Sequence, residues 1–148
     1  MTVDKICKPF ADLSGRELYD LLQLRSQVFV VEQNCVFLDP DGKDALCHHV
    51  LFYENVDLVA YARIVPAGIS YPSASLGRII TSEAVRGTGV GTLLLQYSIS
   101  ALINIYGEST IEIGAQLYAK AFYEQFGFRV EGDIYDEDGI DHIHMRRP

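Results

Sequence analysis

The chain has 148 residues, 49% of them hydrophobic, and a formal net charge of −8 at pH 7. This length suits one domain, which we assign to residues 1–148, and a domain of this size buries about 70% of the surface that its unfolded chain exposes. The negative charge argues against nucleic acid as a partner, because a broad phosphate-binding surface needs an excess of Lys and Arg. Any phosphate must therefore be bound by a local group of residues and not by the overall charge of the protein.

Two features indicate where the protein is found in the cell. No apolar run approaches the roughly 20 residues that span a bilayer, and the N-terminal MTVDKICKPF lacks the apolar centre of a secretory signal. Cys7, Cys35 and Cys47 are odd in number and form no Cys-x-x-Cys pair, which favours reduced, mostly buried thiols. We expect a cytoplasmic protein without a membrane partner.

The first half of the chain is predicted to form a strand, a helix, a loop and two paired strands. Ser14 and Glu17 spell a capping box in front of apolar residues at helical spacing. The later segment LVAYARIV is apolar on both faces, which is typical of a central strand. The expected bounds are 3–10 for the first strand, 15–30 for the helix, 32–46 for the loop, and 49–54 and 58–65 for strands joined at 55–57.

The second half is predicted to alternate strands with helices and to finish in a hairpin. Apolar residues from Val90 to Ile105 keep a period of about 3.6 residues until Gly107 ends it, which predicts a long helix. Asp138-Gly139 is a strong two-residue hairpin signal. The expected bounds are 74–81, 110–114, 128–135 and 140–146 for strands, and 88–106 and 119–126 for helices. This order predicts a mixed α/β domain with a single sheet, neither a barrel nor a regular doubly wound fold.

The segment from Arg86 to Thr92, RGTGVGT, lies between a predicted strand and the long helix and places glycines at alternate positions. Glycine permits unusual backbone angles and lets a ligand approach the backbone N–H groups closely. Those groups lie at the positive end of the helix dipole, so the loop can bind a pyrophosphate even in an acidic protein, with Arg86 adding a positive charge.

The glycine loop has three alternative interpretations. A Walker loop needs Gly-x-x-x-x-Gly-Lys-Ser/Thr, which the sequence lacks. A dinucleotide-binding fingerprint needs a third glycine one position later and an acidic residue about 20 positions on, where this chain has Gly107. A glycine-rich turn that only starts a helix is the remaining alternative.

The pattern Arg86-x-x-Gly89-x-Gly91 after an apolar strand resembles the acyl-CoA loop of the GNAT superfamily of N-acetyltransferases. A second block, QLYAKAFYEQFGF at 116–128, is similar to the second signature of that superfamily. Within the superfamily, VFVVEQN, DPDG, GAQ and EDGIDHI resemble the ElaA-type branch, whose substrate is poorly defined. The resemblance implies one GNAT-like domain of α/β (α+β mixed) class, with a central, mostly antiparallel mixed sheet flanked by helices.

The resemblance also implies a binding site for acetyl-CoA as cosubstrate. The backbone of Ile80 and Thr81 would bond the pantetheine arm like an added strand. Gln116 stands where the family usually has Asn, and its longer amide would bond the pantetheine. Lys120 is a further candidate for a CoA phosphate, although a surface lysine on a helix is usually only solvated. The pyrophosphate would be held by Arg86, Gly87, Thr88, Gly89, Val90 and Gly91.

An acetyltransferase of this kind needs a base and an acid. An alkyl amine with a pKa near 10.4 is neutral in only about one molecule per 10³ at pH 7, so a proton must be removed before attack on the thioester. Glu32 and His49 are the candidate bases, each with an ordinary structural role as the alternative. Tyr123, which the resemblance places beside the thioester sulfur, is the candidate acid for the departing thiolate.

The end of the chain carries histidines and acidic residues that could have other roles. His142 and His144 lie on one face of the last predicted strand and, with His48 and His49, invite a metal interpretation, but no zinc spacing is present and no metal is expected. The six carboxylates between Glu131 and Asp141 form either a solvated hairpin face or a rim that attracts a cationic amine.

The sequence therefore favours a transfer of acetyl from acetyl-CoA to a primary amine, by direct attack in a ternary complex. The acceptor would be a small-molecule or peptide amine. The alternative is a catalytically silent CoA-binding regulatory module, and a structural or adaptor domain would not bind CoA at all. The sequence leaves the oligomeric state open, with a homodimer as one option.

Overall fold

In the computed structural model, which describes residues 2–108 and 110–148, seven strands form one sheet in the order β1-β2-β3-β4-β5-β7-β6. The strands are β1 (Asp4–Pro9), β2 (His48–Glu54), β3 (Asp57–Val65), β4 (Ser75–Thr81), β5 (Ile111–Gln116), β6 (Arg129–Glu137) and β7 (Ile140–Arg147). The α-helices are α1 (Gly15–Arg25), α2 (Val90–Tyr106) and α3 (Lys120–Glu124).

The sheet is mixed, because β4 and β5 are parallel while every other neighbouring pair is antiparallel. The prediction of a mostly antiparallel mixed sheet flanked by helices is confirmed. The predicted central strand is β3, which pairs with β2 on one side and β4 on the other. Its residues from Val59 to Val65 are all buried, as its continuous apolar sequence requires.

The two faces of the sheet are covered by different helices. Helix α2 buries Leu94, Leu95 and Leu102 completely in the larger core. On the opposite face, Leu21 of α1 packs in a smaller core with Tyr61 of β3. Full burial of a leucine side chain contributes about 1.5–3 kcal/mol to stability. The packing of α1 and α2 on opposite faces therefore stabilises the sheet between them.

Helix α1 begins at the predicted capping box, in which the Ser14 hydroxyl and the Glu17 carboxylate each bond the other residue's backbone N–H. It does not end at Arg25 but continues as a π-helix over Ser26–Glu32, close to the predicted end at 30. Such π-helical turns are rare and occur often at functional sites. Here the turn leads into residues that line the cleft described below.

Several boundaries differ from the prediction for local reasons. Helix α2 starts two residues late because Gly89 has a φ of 88°, outside the helical region. Strand β5 runs on to Gln116, and α3 is shorter than expected because a 3₁₀ turn, Leu117–Ala119, precedes it. The Asp138-Gly139 turn has φ values of 54° and 81°, as a two-residue hairpin turn of the primed type requires.

Among the described residues no helix is both long enough and apolar enough to cross a membrane.

Candidate active site

A deep cleft opens in the sheet where β4 and β5 separate. Within the described chain these parallel strands pair only at Ser75 and Glu112, and beyond this point, which we call the apex, they diverge. The resulting cavity has a volume of about 1570 Å³. Its walls are formed by β4, β5, the π-helical turn, the loop 33–43, the start of α2, α3 and the terminal hairpin of β6 and β7.

Strand β4 presents a free backbone edge to this cleft. On its other edge, Arg78 and Ile79 together lie opposite Ala62 of β3 and form a bulge, a feature common next to active sites. Arg78 has a φ of 50°, which non-glycine residues rarely adopt. An extended ligand can bond a free strand edge as an added strand would. Ile80 and Thr81, predicted to bind pantetheine in this way, both line the cleft.

The glycine loop, residues 86–91, lies at the wide end of the cleft. Gly89 is the N-cap of α2, and no side chain caps the helix, so the first N–H groups have no partner within the helix and can bind an anion. Gly87 and Gly89 have φ values of 81° and 88°. A Cβ atom at either position would have no neighbour within 4 Å, which leaves the loop open to a ligand.

The members of this loop differ in what they expose. Arg86 and Gly91 line the cleft itself. The Val90 side chain is buried in the larger core, so only its backbone is available to a ligand. The Thr88 hydroxyl and the Thr88 backbone N–H both donate to the Val85 carbonyl oxygen, so neither group is free to bind an anion in this arrangement of the loop.

Glu32, one of the two predicted bases, lies at the wide end of the cleft. Its Oε1 accepts a hydrogen bond of 2.6 Å from Arg86 Nη2. The same guanidinium donates to the Thr81 carbonyl oxygen at 3.0 Å. The Glu32 carboxylate is therefore the partner of an arginine beside the glycine loop, and it is not at the apex.

His49, the other predicted base, is fully buried and does not line the cleft. Its Nδ1 accepts from the Tyr61 hydroxyl at 2.6 Å, and its Nε2 donates to the Asp44 carbonyl oxygen at 2.9 Å. Burial lowers the pKa of His49. With both ring nitrogens bonded inside the protein, His49 is a structural residue, and its position removes it from the candidates.

Tyr123 projects from α3 into the larger core and also borders the cleft. Its ring packs against those of Phe122 and Phe128. Burial raises the pKa of its phenol, so the hydroxyl stays protonated at neutral pH, as a proton donor must. Within the described chain the Tyr123 hydroxyl has no hydrogen-bond partner, and it is not among the fully buried polar atoms.

Two other residues predicted to contact CoA have partners within the protein. Gln116 exchanges two hydrogen bonds of 3.1 and 3.2 Å with Gln33, so this amide pair ties the end of β5 to the chain that follows the π-helical turn. Lys120 lies outside the cleft and pairs with Glu124 at 3.7 Å on the surface of α3. The position of Lys120 therefore supports the alternative that it is only a solvated surface lysine.

A cluster of buried charges holds the loop 33–43 against the sheet. Arg25 of α1 bonds Asp39 and Asp44, each at 2.7 Å. Arg63 of β3 makes a two-pronged contact with Asp41, both distances being 2.8 Å. The full arginine–aspartate cluster consists of Arg25, Arg63, Arg78, Asp39, Asp41 and Asp44.

Electrostatics within this cluster keep its members charged. Burial alone would raise the pKa of Asp41, but the hydrogen bonds and charge of Arg63 outweigh it and hold that pKa far below its usual range. In the same way, burial is outweighed at Asp44 by Arg25. The sequence prediction missed this cluster. Its signal was an isolated arginine in each of two apolar strands, since a buried charge needs a partner.

The terminal hairpin supplies the opposite wall of the cleft. Of its six carboxylate residues, Glu137 and Asp138 line the cavity, and both lie in exposed positions. His142 Nε2 lies 3.1 Å from Glu137 Oε2, and its Nδ1 bonds the Ile140 carbonyl. His144 Nε2 lies 3.1 Å from Glu112 Oε1. Among residues 2–108 and 110–148, no group of three or more His, Cys, Asp or Glu side chains could hold a metal ion.

The comparisons with known protein families, relatives and solved structures all point to the same family. Residues 43–147 match the acetyltransferase (GNAT) domain family. The chain is 42% identical over 139 residues to protein ElaA of Escherichia coli, covering 93% of this chain and 91% of that protein. The crystal structure of E. coli ElaA superposes with a TM-score of 0.93 at 39% identity, over 99% of this chain and 100% of that one.

A second solved structure, described as an acyl-CoA N-acyltransferase from Pseudomonas aeruginosa, is similar with a TM-score of 0.95 at 37% identity, covering 99% of this chain and 100% of that chain. The matched region contains the glycine loop, both strands that border the cleft and Tyr123. These matches agree with the cleft, the free strand edge and the open helix terminus described above. The chain belongs to the GNAT acetyltransferase family.

Proposed function

We propose that this protein transfers an acetyl group from acetyl-CoA to a primary amine, by direct attack of the amine on the thioester in a ternary complex. The observation that carries the proposal is the free edge of β4, which leads from the glycine loop into the cleft. One end of this path suits a pyrophosphate and the other reaches a chamber lined by carboxylates. That combination fits an anionic acyl carrier and a cationic acceptor.

The residues of the cleft fit acetyl-CoA by length and by chemistry. From Thr81 to Gly77 the edge of β4 covers roughly 13 Å at the usual rise per residue, and the pantetheine arm would lie along it. The open N–H groups of α2 would hold the pyrophosphate. Arg86 would exchange its bond to Glu32 for a phosphate oxygen.

Tyr123 is proposed as the proton donor for the leaving thiolate. Its hydroxyl borders the cleft on the larger-core side of the sheet, and its raised pKa keeps the proton on the phenol. A general acid in such a position speeds the step by a factor of about 10² to 10⁴.

The acceptor side is proposed to select a cationic amine, as a small molecule or the end of a peptide. Glu137 and Asp138 line that side of the cavity. Together with the net charge of −8, they give a field that attracts an ammonium group. The unbridged thiols of Cys7, Cys35 and Cys47 support a reducing, cytoplasmic setting, and a homodimer stays a prediction.

A screen of amines with constant acetyl-CoA tests the proposal. Release of free thiol, followed continuously, should rise with at least one primary amine and not with its N,N-dimethyl analogue. Calorimetry on the same preparation measures acetyl-CoA affinity. Binding without any thiol release would support the silent regulatory module, and absence of binding would leave only a structural or adaptor role.

A further inference from the structure

A buried carboxylate and a histidine form a pair at the apex of the cleft. Glu112, on β5, is 7% exposed. Its Oε2 accepts a hydrogen bond of 2.9 Å from the backbone N–H of Ser73, and its Oε1 lies 3.1 Å from His144 Nε2. Because an ionised carboxylate only accepts hydrogen bonds, it favours the tautomer of His144 that carries its proton on Nε2. The second nitrogen, Nδ1, is then left with a lone pair.

The His144 ring is held in place while its second nitrogen stays available. Tyr71 stacks on the imidazole, with ring centroids 4.9 Å apart and planes inclined by 7°. The His144 side chain is 27% exposed and lines the cleft. Among residues 2–108 and 110–148, no hydrogen bond is made to Nδ1, and this atom is not sealed from solvent. A fixed imidazole with one open nitrogen is the arrangement that a proton acceptor requires.

The pair lies where the cleft narrows. Glu112 is the residue of β5 that still pairs with β4, and His144 lies opposite Gly114 in the register of β5 and β7. A Cβ atom at Gly114 would lie 2.6 Å from the Tyr135 hydroxyl and 2.8 Å from the Tyr71 hydroxyl. The absence of a side chain at this position therefore lets two phenols converge on β5, beside the histidine.

We propose that His144 accepts the proton of the acceptor ammonium and that Glu112 positions it. This assignment rests on the proposed function. His144 Nδ1 takes one proton from the ammonium group, and the nitrogen lone pair then forms a bond to the thioester carbonyl carbon. The C–S bond breaks with its electron pair on sulfur, and the Tyr123 phenol donates its proton to the thiolate. The second proton lost by the nitrogen restores the phenol, and the imidazolium returns its proton to solvent. The products are an amide and the free thiol of CoA.

Other groups near the apex fit this role less well. His142 lies on the same face of β7, but its Nδ1 bonds the Ile140 carbonyl and its Nε2 lies 3.1 Å from Glu137 Oε2. Glu32 is paired with Arg86 at the wide end. The titratable and charged side chains around His144 are Glu112 of β5, Tyr71 of the segment before β4, Tyr135 and Glu137 of β6, and His142 and Arg146 of β7.

The test compares His144→Asn with Glu112→Gln and with the control His48→Asn, whose residue lies outside the cleft on β2. The probes are the best acceptor from the amine screen, ethylamine, and 2,2,2-trifluoroethylamine, which is a far weaker base and is already neutral at pH 7. For the basic amines, His144→Asn should lower kcat/KM at pH 7 by about 10² or more. The control should match the wild type, and acetyl-CoA affinity should be unchanged in all three variants.

The dependence on amine basicity separates a base from a structural residue. The loss in His144→Asn should shrink as pH approaches the pKa of the amine, and it should fall below about threefold for trifluoroethylamine, which needs no deprotonation. Glu112→Gln should show the same pattern with a smaller loss, since it weakens the positioning of the ring. An equal loss for all amines at every pH would overturn the proposal, as would full activity in His144→Asn.

A measurement without turnover keeps the two proposals distinguishable. In ¹⁵N spectra of the imidazole rings, His144 should be mainly the Nε2–H tautomer near neutral pH, and Glu112→Gln should reduce that preference. An Nδ1–H tautomer would overturn the assignment of His144 while leaving acetyl transfer intact. Failure of the wild type to transfer acetyl to any amine would instead overturn the proposed function, and the base with it.

Discussion

The two ends of the cleft are built from different parts of the chain and by different means. The wide end consists mainly of backbone: the free edge of β4 and the N–H groups at the start of α2, in residues 76–91. The acceptor end consists of side chains that come from the π-helical turn, the loop 33–43, β5 and the terminal hairpin. These segments meet only in the folded protein.

This difference has a functional consequence. Under the proposed function, the backbone site recognises what all acyl-CoA molecules share, and its geometry depends on two glycines with positive φ rather than on particular side chains. A side-chain site recognises one acceptor, and here its loop is held by buried ion pairs such as Arg25 with Asp39. We infer that cofactor binding and acceptor binding in this protein can be damaged separately, and the variants Arg25→Met and Gly91→Val test this separation.

The largest effect is expected from Arg25→Met, which removes the fully buried arginine of the cluster and leaves Asp39 paired only with Arg78 and Asp44 only with Arg63. Removing one member of a buried ion pair costs about 3–5 kcal/mol, so the free energy of unfolding in urea should fall by that amount. The variant that remains folded should bind acetyl-CoA normally and show a raised KM for the amine. Loss of acetyl-CoA affinity at a temperature where it is folded would break the separation.

Arg16→Met is the matched control for this variant. Arg16 forms an exposed pair with Asp20 on the surface of α1, and such pairs contribute about 0–1 kcal/mol. A control that destabilised the protein as much as Arg25→Met would mean that α1, and not the arginine–aspartate cluster, limits stability.

The next largest effect is expected from Tyr123→Phe. Without the hydroxyl, the leaving thiolate has no proton donor, so kcat should fall by at least about tenfold, while acetyl-CoA affinity changes little because the ring still packs. Rates with a working acceptor and calorimetry with acetyl-CoA check both statements. Tyr97→Phe, on α2 and outside the cleft, should behave as the wild type. Nearly full kcat in Tyr123→Phe would reduce Tyr123 to a packing residue.

A smaller effect is expected from Gly91→Val at the wide end. An added Cβ at Gly91 would lie 4.0 Å from its nearest neighbours, which is an ordinary contact distance, and the valine side chain would occupy the space next to the open N–H groups. Acetyl-CoA affinity should fall about tenfold, equivalent to about 1.4 kcal/mol. Gly91 suits this test better than Gly89, whose φ of 88° would strain a valine.

The control is Gly15→Val, at the first residue of α1, where a Cβ has no neighbour within 4 Å. It should leave acetyl-CoA affinity unchanged. If both valine variants, or neither, altered the affinity, the glycine loop would lose its role as the phosphate site.

The smallest effect concerns pH and His49. Because burial lowers the pKa of His49, its contribution to stability is fully present above its unfolded pKa of about 6.5 and is lost as pH falls through the lower folded value. Through His49, the free energy of unfolding changes by at most about 1.4 kcal/mol per pH unit. Urea unfolding at pH 7.5 and 5.5 should show a larger loss for the wild type than for His49→Gln. A larger loss in the variant would contradict the sign of this effect.

How far the site could be predicted depends on how local its determinants are. The start of α1, the Asp138-Gly139 turn and the glycine loop were predicted because each is encoded by neighbouring residues: a capping box, a pair of positive φ values and an uncapped helix start. The proposed base, His144, was not predicted. His49 was a reasonable choice by residue type, but the fold buries it and bonds both its nitrogens.

The sequence by itself determined the order of the strands and helices, the apolar faces that bury them and the loop that can bind a phosphate, because these follow from periodicity, capping and backbone angles within a few residues. Only the tertiary structure decided which side chains face each other in the cleft. Gln33 and Gln116 lie 83 positions apart, and Glu112 and His144 lie 32 apart. Such pairs depend on strand order and register, which are set by packing the whole sheet between α1 and α2.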